Sequence, residues 1–162
     1  VTSGKPPVTP AVRVLRRYGV AFTHHLYDYQ AQGGTAQGAE ALGIAEHGLI
    51  KTLVMEDDHK NPFIVLMHGD CQVSTKALAR ALGVKAVQPC SPQAANKLTG
   101  YSVGGISPFG MRTPLPVYIE ASILALPEIY INGGKRGYLV RLDPADLRCL
   151  LQATPVQVAI PA

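Results

Sequence analysis

Two features of this sequence could carry chemistry. The first is Lys51, which interrupts the apolar run Leu49-Ile50-Lys51-Thr52-Leu53-Val54. In a strand, side chains alternate between faces. Lys51 therefore shares a face with Leu49 and Leu53, and Thr52 shares the other with Ile50 and Val54. If both faces are covered, the ammonium needs a partner or a cleft. In a cleft it could hold a phosphate or a carbonyl; on a strand with one wet face it would be solvated. The second feature is the loop Gly100-Tyr101-Ser102-Val103-Gly104-Gly105-Ile106-Ser107-Pro108-Phe109-Gly110. Gly104-Gly105 frees the backbone at two successive residues, and Ser107 is pushed to extended geometry by Pro108. Such a loop can turn backbone N–H groups toward a carbonyl or phosphate, since no side chain blocks the approach. Ordinary surface turns share this composition.

Other candidates are weaker. Gly133-Gly134-Lys135-Arg136-Gly137 reads as a hairpin turn whose Lys135 and Arg136 could touch a phosphodiester backbone. It lacks the spacing and the Gly-Lys-Ser/Thr ending of a phosphate-binding P-loop. His24, His25, His47, His59 and His68 show no zinc-finger or metalloprotease spacing, and no metal is expected. Tyr27 and Tyr101 could wall a pocket or stack on a base. No Gly-x-Ser-x-Gly elbow supports a serine triad. Cys71, Cys90 and Cys149 read as buried free thiols.

The elements that would position these residues follow from caps and periodicity. Thr9-Pro10 reads as N-cap and first residue of a helix with Val12, Leu15 and Tyr18 at helical spacing, stopped by Gly19. Residues 21–29 read as a strand. Thr35 is expected to cap a helix through Leu42 that Gly43 ends. Leu49–Met55 and Phe63–His68 form a hairpin across a polar turn. Helices follow from Ser74 or Thr75 and from Ser91-Pro92, with a short strand near Ala86–Val87 between them. Strands at 116–120, 129–131 and 138–142 precede a helix capped by Asp143, with Asn132-Gly133-Gly134 as a turn. The tail 155–162 would add an edge strand. Hairpins mixed with separate helices indicate an α+β fold.

The chain has 162 residues, 47% hydrophobic and 16% charged. That fits one packed domain, 9–162, after a flexible lead-in 1–8. The net charge of +4 permits a polyanionic partner. No apolar run is long enough to span a bilayer, and residues 1–10 lack the apolar core of a signal peptide. A cytoplasmic location is expected.

Taken together, Thr9-Pro10-Ala11-Val12, Phe22 with Tyr27, Lys51-Thr52-Leu53, Thr99 through Pro108, and Gly133-Gly134-Lys135-Arg136-Gly137 occur in an order that closely resembles the YbaK family. These are Cys-tRNA(Pro) deacylases, similar to the editing domain inserted in bacterial prolyl-tRNA synthetases. The resemblance runs from about Thr9 to about Leu151. It implies one α+β domain with a curved, mixed, barrel-like sheet surrounded by helices. It implies trans-editing: hydrolysis of the ester joining a wrong amino acid to tRNA(Pro), without metal or cofactor and assisted by the substrate's own thiol. Lys51, Gly104 and Gly105 would be catalytic. Tyr27, Thr52, Tyr101, Ile106, Ser107, Asn132, Gly133 and Gly134 would bind substrate, and Lys135 and Arg136 would contact tRNA. Prolyl-tRNA synthetase is an expected partner. The chain departs from the family at Gln30–Gln37, which lacks an aromatic residue, at Asn132, where serine is frequent, and at Leu139, where an acid is frequent. Ala-tRNA(Pro) or another small aminoacyl ester therefore stays open as substrate, as does a non-catalytic tRNA- or nucleotide-binding module on the same scaffold.

Overall fold

The computed structural model describes residues 4–162. Of the expected lead-in, residues 1–3 lie outside the described residues, and 4–8 form no regular element. Helix α1 spans Pro10–Arg17, α2 Gly34–Leu42, α3 Thr75–Leu82, α4 Pro92–Thr99 and α5 Pro144–Leu151. Their starts follow the chemistry of the sequence. The side chains of Thr9, Ser74, Ser91 and Asp143 accept hydrogen bonds from Val12, Ala77, Ala94 and Ala145 N–H groups. Each thereby satisfies a donor that the first helical turn leaves orphaned. Thr35 departs from expectation. Gly33 precedes α2 with no side-chain cap, and Thr35 lies inside the helix with its hydroxyl turned elsewhere. Tyr18, expected on the buried stripe of α1, is 63% exposed, whereas Ala11, Val12 and Leu15 are fully buried.

Among the described residues there are ten strands: β1 (Thr23–Leu26), β2 (Leu49–Asp57), β3 (Pro62–His68), β4 (Cys71–Val73), β5 (Val87–Pro89), β6 (Val117–Glu120), β7 (Ile129–Lys135), β8 (Tyr138–Leu142), β9 (Thr154–Val156) and β10 (Ala159–Pro161). Seven form a mixed sheet in the order β1-β8-β7-β2-β3-β6-β9, with β5 against the far end of β2. The β2–β3 hairpin is antiparallel, while β2–β7, β3–β6 and β6–β9 are parallel. The sheet is not closed: its end strands β1 and β9 do not pair. The tail contributes two short strands, since β10 pairs with β4 in a separate ribbon.

Both faces of the sheet are covered. Along β3, Ile64 and Leu66 enter the main core with α1, while Phe63, Val65 and Met67 pack with α3 residues Leu78 and Ala79. A third cluster gathers Tyr27, Ala39, Leu49 and Leu139. On β2, Leu49 belongs to the third cluster and Leu53 packs on the second. Lys51 falls between them on the same face. The covered sheet thus decides the question its sequence raised, because Lys51 opens into a cleft.

Two strands differ from expectation near that cleft. β1 is short, and the chain leaves the sheet after Tyr27, whose N–H donates to the Gly137 carbonyl. β7 does not turn at Asn132-Gly133-Gly134. It runs through them with an irregular register between Asn132 and Lys135, and the turn is Arg136-Gly137. A Cβ on Gly133 would lie 2.4 Å from the Tyr138 ring, so this glycine serves close packing. Cys149 is exposed, and Cys71 and Cys90 are half-buried, so the thiols are less enclosed than expected.

Candidate functional site

The site lies in a fork of the sheet. β2 and β7 pair only at Leu49↔Tyr130 and Ile50↔Ile131. Beyond that β7 bulges while β2 continues along β3. A cavity of about 610 Å³ opens there, a size suited to a small organic group. Among the predicted site residues, Tyr27, Lys51, Thr52, Gly104, Ile106, Asn132 and Arg136 line it. Tyr29, Thr35 and Val103 also line it, and residue types alone did not single them out; Leu139, named above as a departure from the family, lines it too.

The Lys51 Nζ is 3.4 Å from the Gly69 carbonyl oxygen. That oxygen also lies 3.1 Å from the Thr35 hydroxyl, which in turn is 2.6 Å from Glu46 Oε2. Among the described residues Lys51 makes no ion pair. It is therefore a half-buried cation held by a neutral dipole, with its charge left for a ligand. Gly69 is required for this arrangement, since a Cβ would lie 2.7 Å from the Thr35 hydroxyl and 2.8 Å from the Leu49 carbonyl. The neighbouring Thr52 hydroxyl is buried without a partner.

Gly104 and Gly105 divide the roles expected of both. Gly105 is buried, and its N–H donates to the Ser102 carbonyl at 2.8 Å. A Cβ there would meet the Arg136 nitrogen at 2.7 Å and the Lys135 carbonyl carbon at 2.9 Å. Its amide is thus unavailable to a ligand, and its lack of a side chain lets the loop pack on the β7–β8 turn. Gly104 is exposed at the cavity with φ +94°, and its N–H has no partner among the described residues. Asn132 fixes this loop. Its Oδ1 accepts from Gly134 and Lys135 N–H, and its Nδ2 donates to the carbonyls of Gly104 and Lys135. The serine-to-asparagine departure therefore supplies a clamp between the bulge and the glycine loop. Arg136 donates to the Val103 carbonyl at 2.9 Å and lies 5.5 Å from the centre of the Tyr29 ring.

The remaining predicted residues do not line the cavity. Tyr101 is buried and donates its hydroxyl to the Phe109 carbonyl at 2.6 Å; burial pushes its pKa up to about 12. Ser107 is buried and accepts from the Phe109 N–H. Gly133 accepts from the Thr9 hydroxyl, Gly134 packs against Tyr101 and Thr9, and Lys135 is exposed at the hairpin. These residues build the loop walls from behind. Tyr27, by contrast, lines the cavity in the third cluster, and burial, then the nearby Tyr29, raise its phenol pKa.

No serine, cysteine, histidine, aspartate or glutamate lines the cavity among the described residues. The fold does gather His47, Asp70 and Cys71 within 4.8 Å, a grouping their spacing did not reveal. There the His47 ring bonds the Asp70 carboxylate at 2.8 Å. His68 is buried, with Nδ1 2.7 Å from the His47 carbonyl and Nε2 2.7 Å from the Ser122 hydroxyl. The cavity can therefore orient and polarise a bound group; the Thr35 and Thr52 hydroxyls and the Lys51 amine line it, and no carboxylate or imidazole base does among the described residues.

Comparison with known proteins shows what the chain is similar to. The model of the aminoacyl-tRNA editing domain matches residues 32–150. A protein of Enterococcus faecalis named "Putative Cys-tRNA(Pro)/Cys-tRNA(Cys) deacylase EbsC" is 30% identical over 143 residues, 88% of this chain and 87% of that protein. A proline–tRNA ligase of Streptococcus equi subsp. equi is 28% identical over 100 residues, which are 62% of this chain and 16% of the ligase. A crystal structure described as "a putative trans-editing enzyme for prolyl tRNA synthetase" superposes with a TM-score of 0.79 at 25% identity, covering 95% of this chain and 99% of that one.

Proposed function

We propose, on the premise that this chain belongs to the aminoacyl-tRNA editing domain family, that it removes cysteine from Cys-tRNA(Pro) in trans. The enzyme class is that of a hydrolase acting on the aminoacyl-tRNA ester. The observation that carries the finer reading is the cavity itself: Lys51, which makes no ion pair among the described residues, and Gly104, whose amide is unbonded there, both line it, and no serine, cysteine, histidine or carboxylate does.

Aminoacyl esters are already activated, so positioning and oxyanion stabilisation suffice to accelerate their cleavage. In this reading the Gly104 N–H donates to the developing oxyanion. Lys51 holds the carbonyl or the terminal phosphate, and Tyr27 walls the amino-acid side chain. The substrate thiol attacks its own carbonyl carbon. The C–S bond forms, the bond to the ribose oxygen breaks, and the thiol proton passes to that oxygen. Water then opens the released thiolactone. Thr52 and Ile106 border the same space, Arg136 and Lys135 contact the tRNA, and no metal is required. Cysteine is close to proline in size, so a synthetase cannot easily exclude it, and a second selection restores accuracy. Such a role belongs in the cytoplasm beside prolyl-tRNA synthetase. Among the described residues, no helix is long and apolar enough to cross a membrane.

The test is deacylation of Cys-, Ser- and Ala-tRNA(Pro) side by side. Loss of the cysteinyl ester alone is expected, because serine differs only in the attacking atom. Equal loss of the alanyl ester would overturn thiol assistance and make water the nucleophile. Binding of tRNA with no turnover of any ester would replace the enzyme by a binding module.

A further inference from the structure

The charge of this protein is not spread over it. The chain carries 15 Lys and Arg against 11 Asp and Glu. Lys5, Arg13, Arg16 and Arg17 precede the first acidic residue, Asp28. They account for the entire net charge of +4, leaving 11 cations and 11 anions in residues 28–162. Three of the four stand on α1. Positions 13, 16 and 17 are three and four residues apart and so share one helix face. All three are exposed, while Ala11, Val12 and Leu15 bury the opposite face. None makes an ion pair among the described residues.

Helix stability does not explain this face. Arg16 and Arg17 in the last turn complement the helix dipole. Arg13, in the N-terminal half, does not. Like charges at these spacings repel one another by a few tenths of a kcal/mol per pair. The face is also tied to the cavity. The Thr9 cap of α1 donates to the Gly133 carbonyl in the β7 bulge, beside the cavity residue Asn132. Exposed Lys135 and Arg136 follow at the hairpin tip. A helix of eight residues is about 12 Å long, so the cations of α1 stand within about one such length of its capped end at the bulge.

From this arrangement we infer that the outer face of α1, through Arg13, Arg16 and Arg17, is the docking surface for the phosphate backbone of the tRNA whose acylated end enters the cavity. The inference rests on the deacylase reading for the position of that end. Charge complementarity commits the face to a polyanion, and a cavity too small for more than the acylated terminus leaves the rest of the nucleic acid outside. Arginines one turn apart fit successive phosphates, which they bind as forked donors.

The experiment compares the full chain with R13Q/R16Q/R17Q and with the charge-retaining R13K/R16K/R17K. Two readouts are used: anisotropy of labelled uncharged tRNA over a salt series, and deacylation of both Cys-tRNA(Pro) and a cysteinylated CCA trinucleotide. For the glutamine variant, tRNA affinity and 1/KM for Cys-tRNA(Pro) should fall on the order of tenfold, and the salt slope of log affinity should shrink by about two to three. Turnover of the trinucleotide should be unchanged, which also shows that the variant is folded. The lysine variant should recover most of the affinity. Unchanged affinity and slope in the glutamine variant would overturn the proposal, even if α1 then bound anionic vesicles. A wild type that binds tRNA with an arginine-dependent slope yet hydrolyses neither ester would uphold the docking surface and overturn the deacylase reading.

Discussion

At the scale of single residues, the proposed mechanism separates groups that act from groups that hold. Among the described residues Lys51 makes no ion pair, and its one hydrogen-bonding contact is the neutral Gly69 carbonyl. Lys51→Ala should lower kcat/KM for the aminoacyl-tRNA on the order of 10²-fold, as loss of one preorganised electrostatic group does. Its thermal stability should stay near wild type, because no ion pair is broken; a matching fall in Tm would assign Lys51 to structure instead. Gly105 predicts the opposite pattern. Its Cβ would strike backbone atoms of Lys135 and Arg136, so Gly105→Ala should destabilise the fold by about 1–3 kcal/mol, read by urea denaturation. Asn132→Ala removes the clamp on the Gly104 carbonyl. It should reduce kcat more than it raises KM, since Gly104, the proposed oxyanion donor, would lose its tether. Much of this was legible in the sequence. A lysine inside an apolar strand and a double glycine are anomalies that local structure alone does not need. Tyr29 was not legible as a site residue, because only the folded loop brings its hydroxyl against Gly104 and its ring beside Arg136. The amide of Gly105 was misjudged because a one-dimensional reading cannot see that Ser102 already accepts from it.

Among the elements, legibility followed the range of the interaction that decides each one. Helix starts are local: Thr9, Ser74, Ser91 and Asp143 each bond an N–H two or three residues on, and all four were readable. Gly43, Gly83 and Gly100 stop their helices in left-handed geometry for the same local reason. What failed was set at long range. β7 runs through two glycines because the Tyr138 ring of β8 packs on Gly133, and because Asn132 within β7 reaches the Gly104 carbonyl 28 positions away. β4 and β10 exist because residues almost ninety positions apart pair with each other. Helix α4 offers a test at this scale. Its cap Ser91 starts the helix, and its residue Asn96 accepts from Val103 N–H on the glycine loop. Ser91→Ala should cost about 1 kcal/mol of stability. Its kcat should hold, because Asn96 sits beyond the first turn and keeps its bond. A large loss of turnover at unchanged stability would mean that the cap itself governs the loop.

Over the whole molecule, two histidines whose pKa values burial lowers couple stability to pH in the same acid window, half-buried His25 and buried His68, and His68 reaches the site. His68 is fully buried at the junction of β3 with the turns at 46–48 and 121–125. Its Nδ1 faces the His47 carbonyl, which can only accept, so the neutral ring donates there and accepts the Ser122 hydroxyl at Nε2. Burial pushes its pKa below the ordinary 6.5, and the stacked His47 ring, 3.7 Å away, adds to that; the His47 carbonyl, Asp70 and Glu120 act in the other direction. The sign of the linkage follows. Below pH 6.5 the unfolded chain takes up a proton at this position that the folded chain refuses, so stability falls as pH drops from 6.5 toward the folded value. Above that window His68 contributes no slope. Glu56, lowered chiefly by its bond to Lys60, and Asp57, lowered chiefly by the Asn61 N–H, act only in the more acid carboxylate range. Tm should therefore decline between pH 7 and 5 for the wild type and decline less for His68→Gln, which can still donate and accept. Equal slopes in the two proteins would remove His68 from the account. The decline should carry activity with it, because Gly69, next in the chain, presents the carbonyl that holds Lys51. A proton forced onto His68 should loosen the end of β3 that presents the Gly69 carbonyl to Lys51, the cation proposed to act on the substrate. Deacylation of Cys-tRNA(Pro) should thus lose kcat over the same acid window, and His68→Gln should flatten that profile together with the profile of Tm.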